Sequence, residues 1–150
     1  MFQYKILNNI LYLNKQLFLF KKRNDYLCSY CGLEEETINH IFSNCQKTKK
    51  LWFDLKLYLS YNIDIPDLDP QSAIFGFLQV DQELILILNH ILLIFKHYVY
   101  ISRESQKLSL QALIKKIKKI YVLEKKISAN NENKRKKFEK KWGKLELLFS

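Results

Sequence analysis

Apolar side chains recur at helical spacing through most of this chain, which predicts a mainly α fold. Ile6, Ile10, Leu13 and Leu17 predict one amphipathic helix over residues 4–20, ended by Lys21-Lys22-Arg23-Asn24-Asp25. Leu51, Trp52, Leu55, Tyr58 and Leu59 repeat that spacing over 47–60. Residues 62–71 hold Pro66 and Pro70 and read as a loop, where turn chemistry accounts for Asp67 and Asp69 better than a metal pair does. The most apolar helix is predicted from Asp81 to about Ser105. Its stretch Leu84 to Ile101 is nearly long enough to cross a bilayer, but Asn89, His90, Lys96 and His97 interrupt it, which favours a core helix. Asn89, Lys96 and Arg103 stand seven apart and so share one face as a polar stripe.

Beyond Ser109, a suitable N-cap, Leu110, Leu113, Ile114, Ile117, Tyr121 and Ile127 mark another amphipathic helix. Its other face carries Lys115, Lys116, Lys118, Lys119, Lys125 and Lys126. A break is expected at 129–132. The basic run Lys134, Arg135, Lys136, Lys137 follows, then a last helical stretch with Phe138, Trp142, Leu145 and Leu148.

At 150 residues and 48% apolar content the chain suits a single core, able to bury roughly 70% of its unfolded surface. Two segments are expected, 1–80 and 81–150, packed as one domain. The formal charge of +10 is unevenly placed. Residues 96–144 hold sixteen Lys/Arg against four Asp/Glu, while the remainder is close to neutral. The sequence therefore reads as a near-neutral half that packs and a half that presents a positive field.

All three cysteines fall within eighteen residues, in the pattern Cys28-x2-Cys31-x8-His40-x4-Cys45. Three thiolates and an imidazole are a standard structural set for tetrahedral Zn²⁺. The two-residue gap lets one turn present Cys28 and Cys31 to the same ion, and Gly32 suits the left-handed backbone that ends such a turn. Glu34-Glu35-Glu36-Thr37 reads as a helix start that would put His40 in the first turns and Cys45 just beyond the end. The helix macrodipole accounts for those glutamates without a catalytic role. With four protein ligands no position stays open for water, so one structural ion is expected. Competing readings are a redox pair, which wants a βαβ context missing here, secreted disulfides, which would leave an odd cysteine, and plain buried thiols. His90 and His97 lie two turns apart, about 10 Å, too far to share one metal.

The stretch from Leu27 to Cys45, running on to Lys50-Leu51-Trp52, resembles the zinc-binding segment near the C-terminus of reverse transcriptases from non-LTR (LINE-type) retrotransposons. The likeness is carried by Cys28-x-x-Cys31-Gly32, by Glu36-Thr37 followed by His40-Ile41-Phe42, by Cys45 and by Leu51-Trp52. It extends upstream through residues 5–9 and 14–18. Downstream it takes in residues 71–76, Asn89-His90, 96–100, Arg103, 124–127 and Lys141-Trp142. The resemblance implies an RNA or DNA partner. The chain departs from those polymerases in having no Asp-Asp pair and in being too short for palm, fingers and endonuclease. It therefore reads as a non-catalytic C-terminal piece.

Two functions are expected to compete. One is a zinc-stapled, nucleic-acid-binding module that grips phosphates with Lys96, Arg103, Lys115, Lys116, Lys118, Lys119, Lys134, Arg135, Lys136 and Lys137, with Tyr30, Trp52 or Trp142 stacking bases if exposed. The other is a structural or protein-interaction domain whose lysines only keep it soluble. Cysteine usage and the lack of a signal segment point to a reducing compartment, nucleus or cytoplasm, and no membrane.

Overall fold

The computed structural model describes residues 1–150, which form helices with no strand beyond one isolated antiparallel bridge, Leu27 to Glu35. The helices are α1 (Phe2–Leu7), α2 (Asn14–Leu19), α3 (Gln46–Leu59), α4 (Pro70–Phe75), α5 (Ile85–Ile101), α6 (Leu110–Ser128), α7 (Glu132–Trp142) and α8 (Glu146–Phe149). A π turn, His40–Asn44, precedes α3, and a 3₁₀ turn, Gly143–Leu145, precedes α8. The mainly α expectation holds.

The single helix expected over 4–20 is two. Asn9 takes a left-handed φ of 53°, the Ile10 N–H returns to the Lys5 carbonyl (2.9 Å) and the Asn9 N–H to Ile6 (3.1 Å). That pair of bonds is a Schellman stop, and asparagine is among the few non-glycine residues that tolerate the left-handed position. The spacing runs across the stop because Ile6 before the turn and Leu13 after it both point inward, although Ile10 between them faces solvent. The same motif ends α2. Lys21 has φ 56°, with Lys22 N–H to Leu17 and Lys21 N–H to Phe18.

The most apolar helix is shorter than predicted, starting four residues after Asp81 and ending at Ile101. It is the centre of the fold. Ile87, Leu88, Ile91, Leu92, Phe95 and Val99 are all buried within one continuous cluster that also takes in Ile6, Leu55, Ile117, Trp142 and Phe149. Residues of both halves thus share one core. No helix is long and apolar enough to cross a membrane. Ser109 and Asn131 cap α6 and α7, accepting from the Ala112 and Lys134 N–H groups, and Asp69 caps α4 with Pro70 in its first turn.

The polar stripe of α5 is a row of internal fastenings. The Asn89 amide accepts from the Phe77 N–H and donates to the Phe77 carbonyl, and Gly76 leaves it room, since a Cβ there would meet Asn89 Oδ1 at 2.7 Å. Lys96, which is 2% exposed, donates to Gln3 Oε1 at 2.6 Å and to the Ala73 carbonyl at 2.9 Å. Arg103, just past the helix, reaches the Tyr12 carbonyl and Asn14 Oδ1. Each side chain ties the α5 region to a different part of the N-terminal half: the loop after α4, the short helices α1 and α4, and the chain at the start of α2.

Burial pulls the Lys96 ammonium down to about 8. A lysine held below its unfolded value, about 10.4, costs the fold stability at lower pH, where the unfolded chain binds the proton more tightly. That cost is complete below the folded pKa and fades as pH rises toward the unfolded one. Urea unfolding of the parent and of Lys96→Met, at about pH 7 and about pH 10, should show the difference between them moving toward the parent at high pH, by on the order of 3 kcal/mol. A difference that does not change with pH contradicts the assignment.

Candidate metal centre

The zinc segment begins as a tight hairpin. Cys28 N–H donates to Glu34 O (2.8 Å), Glu36 N–H to Tyr26 O (2.9 Å) and Gly32 N–H to Cys28 O (2.9 Å). Gly32 has φ 65°, the left-handed backbone expected of it. The Tyr30 N–H lies 3.4 Å from Cys28 Sγ, an amide donor for the sulfur. The second half starts within the expected Glu34–Thr37 stretch, at its last residue. Thr37 caps it, its Oγ1 accepting from the His40 N–H at 3.1 Å, which puts His40 in the first turn. From His40 the helix widens, and the Cys45 N–H bonds back to the His40 carbonyl at 2.7 Å, five residues away. This π turn aligns His40 and Cys45 toward one point, as such turns often do at functional sites. Cys45 then caps α3 in extended conformation.

The ligand atoms of Cys28, Cys31, His40 and Cys45 all lie within 4.8 Å of one another. Cys28 and Cys45 Sγ are 3.8 Å apart, and Cys31 Sγ lies 3.3 Å from His40 Nε2. A tetrahedron with Zn–S bonds of about 2.3 Å has S–S edges of about 3.8 Å. The donor set and its spacing therefore fit one zinc ion. Cys28 and Cys45 are buried, His40 is almost fully buried and Cys31 is half-buried. Cys45 is held down to about 5, chiefly by the bond from the Cys28 thiol and then by the Thr48 and Lys47 N–H groups at the start of α3, against the effect of burial. Cys28, the donor in that bond and buried, is pushed up. The start of α3 thus favours the thiolate at Cys45, the form that binds metal.

Two glutamates that sequence reasoning had assigned to the macrodipole do more specific work. Glu36 is fully buried. Its Oε2 accepts from the Ser29 N–H inside the Cys28–Cys31 turn (2.7 Å), and its Oε1 from the Asn14 N–H (3.0 Å). Arg103 Nε lies 2.9 Å from Oε1. Glu34 places Oε2 3.4 Å from His40 Nδ1, a buried atom with no hydrogen-bond partner. Nothing in three successive glutamates distinguishes them by spacing; the hairpin does.

The predicted phosphate contacts divide. Lys115, Lys118 and Lys119 on α6, and Lys134 and Lys137 on α7, are exposed and have no carboxylate within ion-pair reach. Arg135 and Lys136 are exposed but spend charge on Glu139 (3.9 Å) and Glu132 (3.0 Å). Lys116 is half-buried with Nζ 2.9 Å from His97 Nδ1, and burial lowers its pKa. Lys96, expected on the phosphate face, is instead held in the core, and Arg103 is half-buried and committed to Glu36, the Tyr12 carbonyl and Asn14 Oδ1. The aromatic candidates are corrected too. Trp52 and Trp142 are buried, with indole N–H groups on Pro66 O and Glu124 Oε2, and the Tyr30 hydroxyl donates to Val99 O. His90 and His97 are half-buried, packed edge-on against Trp142 and Phe2, and burial lowers both.

Purified chain should contain one zinc per molecule, and Cys31→Ser or His40→Ala should abolish it and unfold at least residues 25–60. A partner on the second ring nitrogen typically sets a metal-binding imidazole's tautomer and is worth about 10- to 100-fold in affinity. Glu34→Ala should therefore weaken zinc by that factor in chelator competition, while Glu34→Gln, which keeps an acceptor oxygen, should lose less. Equal affinities in parent and Glu34→Ala would show that the carboxylate does not orient His40.

No curated protein and no solved structure matches the chain. Residues 1–52 match the family described as zinc-binding in reverse transcriptase, a span that holds the hairpin, all four ligands and the first two turns of α3.

Proposed function

We propose that this chain is a zinc-stapled, nucleic-acid-binding module of a non-LTR (LINE-type) reverse transcriptase, acting as a holder of RNA or DNA and not as the polymerase itself. The observation that carries the reading is the distribution of unpaired charge. Glu124, the one carboxylate on α6, is turned toward Lys141 and the Trp142 indole, which leaves the opposite face cationic. Lys115, Lys118, Lys119 and Lys126 repeat along that exposed face, and Lys134 and Lys137 continue the field onto α7. A row of unpaired cations on a rigid helix suits a polyanion, whose condensed counterions are released on contact. The match of residues 1–52 supports the reverse-transcriptase context. Absence of a paired-aspartate motif supports a non-catalytic role, because two-metal phosphoryl transfer needs carboxylates to hold its ions.

Affinity for a single strand should fall with salt at a log–log slope of about −0.7 per phosphate, so four to six contacts give about −3 to −4. Replacing Lys115, Lys118 and Lys119 by Gln keeps helix propensity nearly constant and spares Lys116, which is committed to His97. The slope should flatten by about two while zinc content stays the same. A parent that does not bind oligonucleotide at low salt, or a variant with an unchanged slope, favours a staple whose lysines only solubilise it.

A further inference from the structure

A second cationic region lies beside the zinc hairpin, away from α6 and α7. The Schellman turn that ends α2 leaves Lys21 and Lys22 exposed, with no carboxylate partner. At its base Tyr12 and Phe20 stand edge to face, ring centres 6.4 Å apart, and are 58% and 60% exposed. Next to them a groove of about 530 Å³ runs between α2, the hairpin and the end of α5, lined by Tyr12, Leu17, Arg23, Tyr100 and Arg103. The Arg103 guanidinium is 4.9 Å from the centre of the Tyr100 ring. Arg23 shares its charge with Asp25 at 3.7 Å, and Glu104 also lines the groove, so Lys21 and Lys22 are the free cations of this surface.

Its chemistry narrows the occupant. Large aromatic faces left in water are an unsatisfied apolar surface, and here they adjoin cations where an apolar protein partner would leave those cations unmatched. A nucleobase has a flat π face of matching size and brings a phosphate with it. A duplex hides those faces in its stack, whereas a single strand offers them. We propose that the surface beside this groove, formed by Tyr12, Phe20, Lys21 and Lys22, is a stacking site for single-stranded nucleic acid, in which Tyr12 and Phe20 receive bases and Lys21 and Lys22 receive the backbone. The proposal rests on the nucleic-acid reading above and adds to it a place and a strandedness. It also supplies exposed aromatics in place of Tyr30, Trp52 and Trp142.

The test uses the full zinc-loaded chain and short oligo(U), oligo(dT) and a duplex of similar length. Tyr12→Ala with Phe20→Ala should weaken both single strands by about tenfold or more, since each stacked base contributes on the order of 1–3 kcal/mol. Duplex affinity and salt slope should not change, because no phosphate contact is lost, and Tyr12→Phe should behave as the parent. The Tyr12 carbonyl that Arg103 uses belongs to the backbone and survives these changes. As a check that needs no variant, iodouracil placed in the strand should photo-crosslink to Tyr12 or Phe20 in the parent. Equal losses on duplex and single strand, no loss on either, or crosslinks confined to α6 and α7 would overturn the site and leave the wider reading standing. A double variant that changes only self-association would overturn it in favour of a protein contact. A parent that binds no nucleic acid at all would overturn both.

Discussion

A carboxylate sealed from water must find a cation and several donors inside the protein, and Glu36 finds them in three separate parts of the chain. The Ser29 N–H comes from the turn that presents Cys28 and Cys31, the Asn14 N–H from the start of α2, and Arg103 from just beyond α5. Arg103 in turn holds the Tyr12 carbonyl and Asn14 Oδ1, so the guanidinium and carboxylate close a ring of contacts around the zinc hairpin. Removing one member of such a pair strands a buried charge, a loss of about 3–5 kcal/mol, comparable to much of a small domain's stability. Zinc and this pair address the same problem from two sides. The metal fixes the inside of residues 28–45, and Glu36 fixes that unit to the helical body.

That arrangement explains the odd distribution of polar residues on α5. A helix this apolar, central to the core, nevertheless carries Asn89 and Lys96, with Arg103 just past its end, at intervals of seven. Each reaches a free backbone group in a short helix or the chain beside one: Phe77 after α4, the Ala73 carbonyl within α4, and Tyr12 before α2. Short helices such as α1, α2 and α4 cannot stand alone in water. Buried hydrogen bonds to a long, rigid neighbour, added to the apolar contacts of Ile6, Leu13 and Ala73, hold them in place.

The ligand set, the boundaries of α6 and its Ser109 cap were legible in the sequence, because metal spacing, periodicity and capping are local signals. By contrast, α7 starts at Glu132, inside the expected break, and ends at Trp142, short of the helical stretch expected through Leu148. The N-terminal helix was misjudged where a local stop at Asn8-Asn9 left the apolar spacing intact on both sides. The fates of Lys96 and Arg103 were illegible for a different reason. A basic residue in or beside an apolar helix looks the same whether it faces phosphate or buried protein acceptors. The partners here lie dozens of residues away in sequence, Gln3 and Ala73 for Lys96 and Glu36 for Arg103. The same applies to Glu34 and Glu36, whose distinct tasks depend on a hairpin turn that separates neighbouring side chains.

If zinc and the Glu36–Arg103 contact form one cooperative unit with the core, removing the metal must be felt outside the ligand loop. Hydrogen exchange of the zinc-loaded chain, before and after stripping with a chelator, measures this directly. Exchange should quicken in residues 26–45 and spread to α2 and the last turn of α5, through Ser29, Asn14 and Arg103. Faster exchange confined to residues 26–45, with α2 and α5 unchanged, would contradict the coupling and leave the zinc segment as a separate unit.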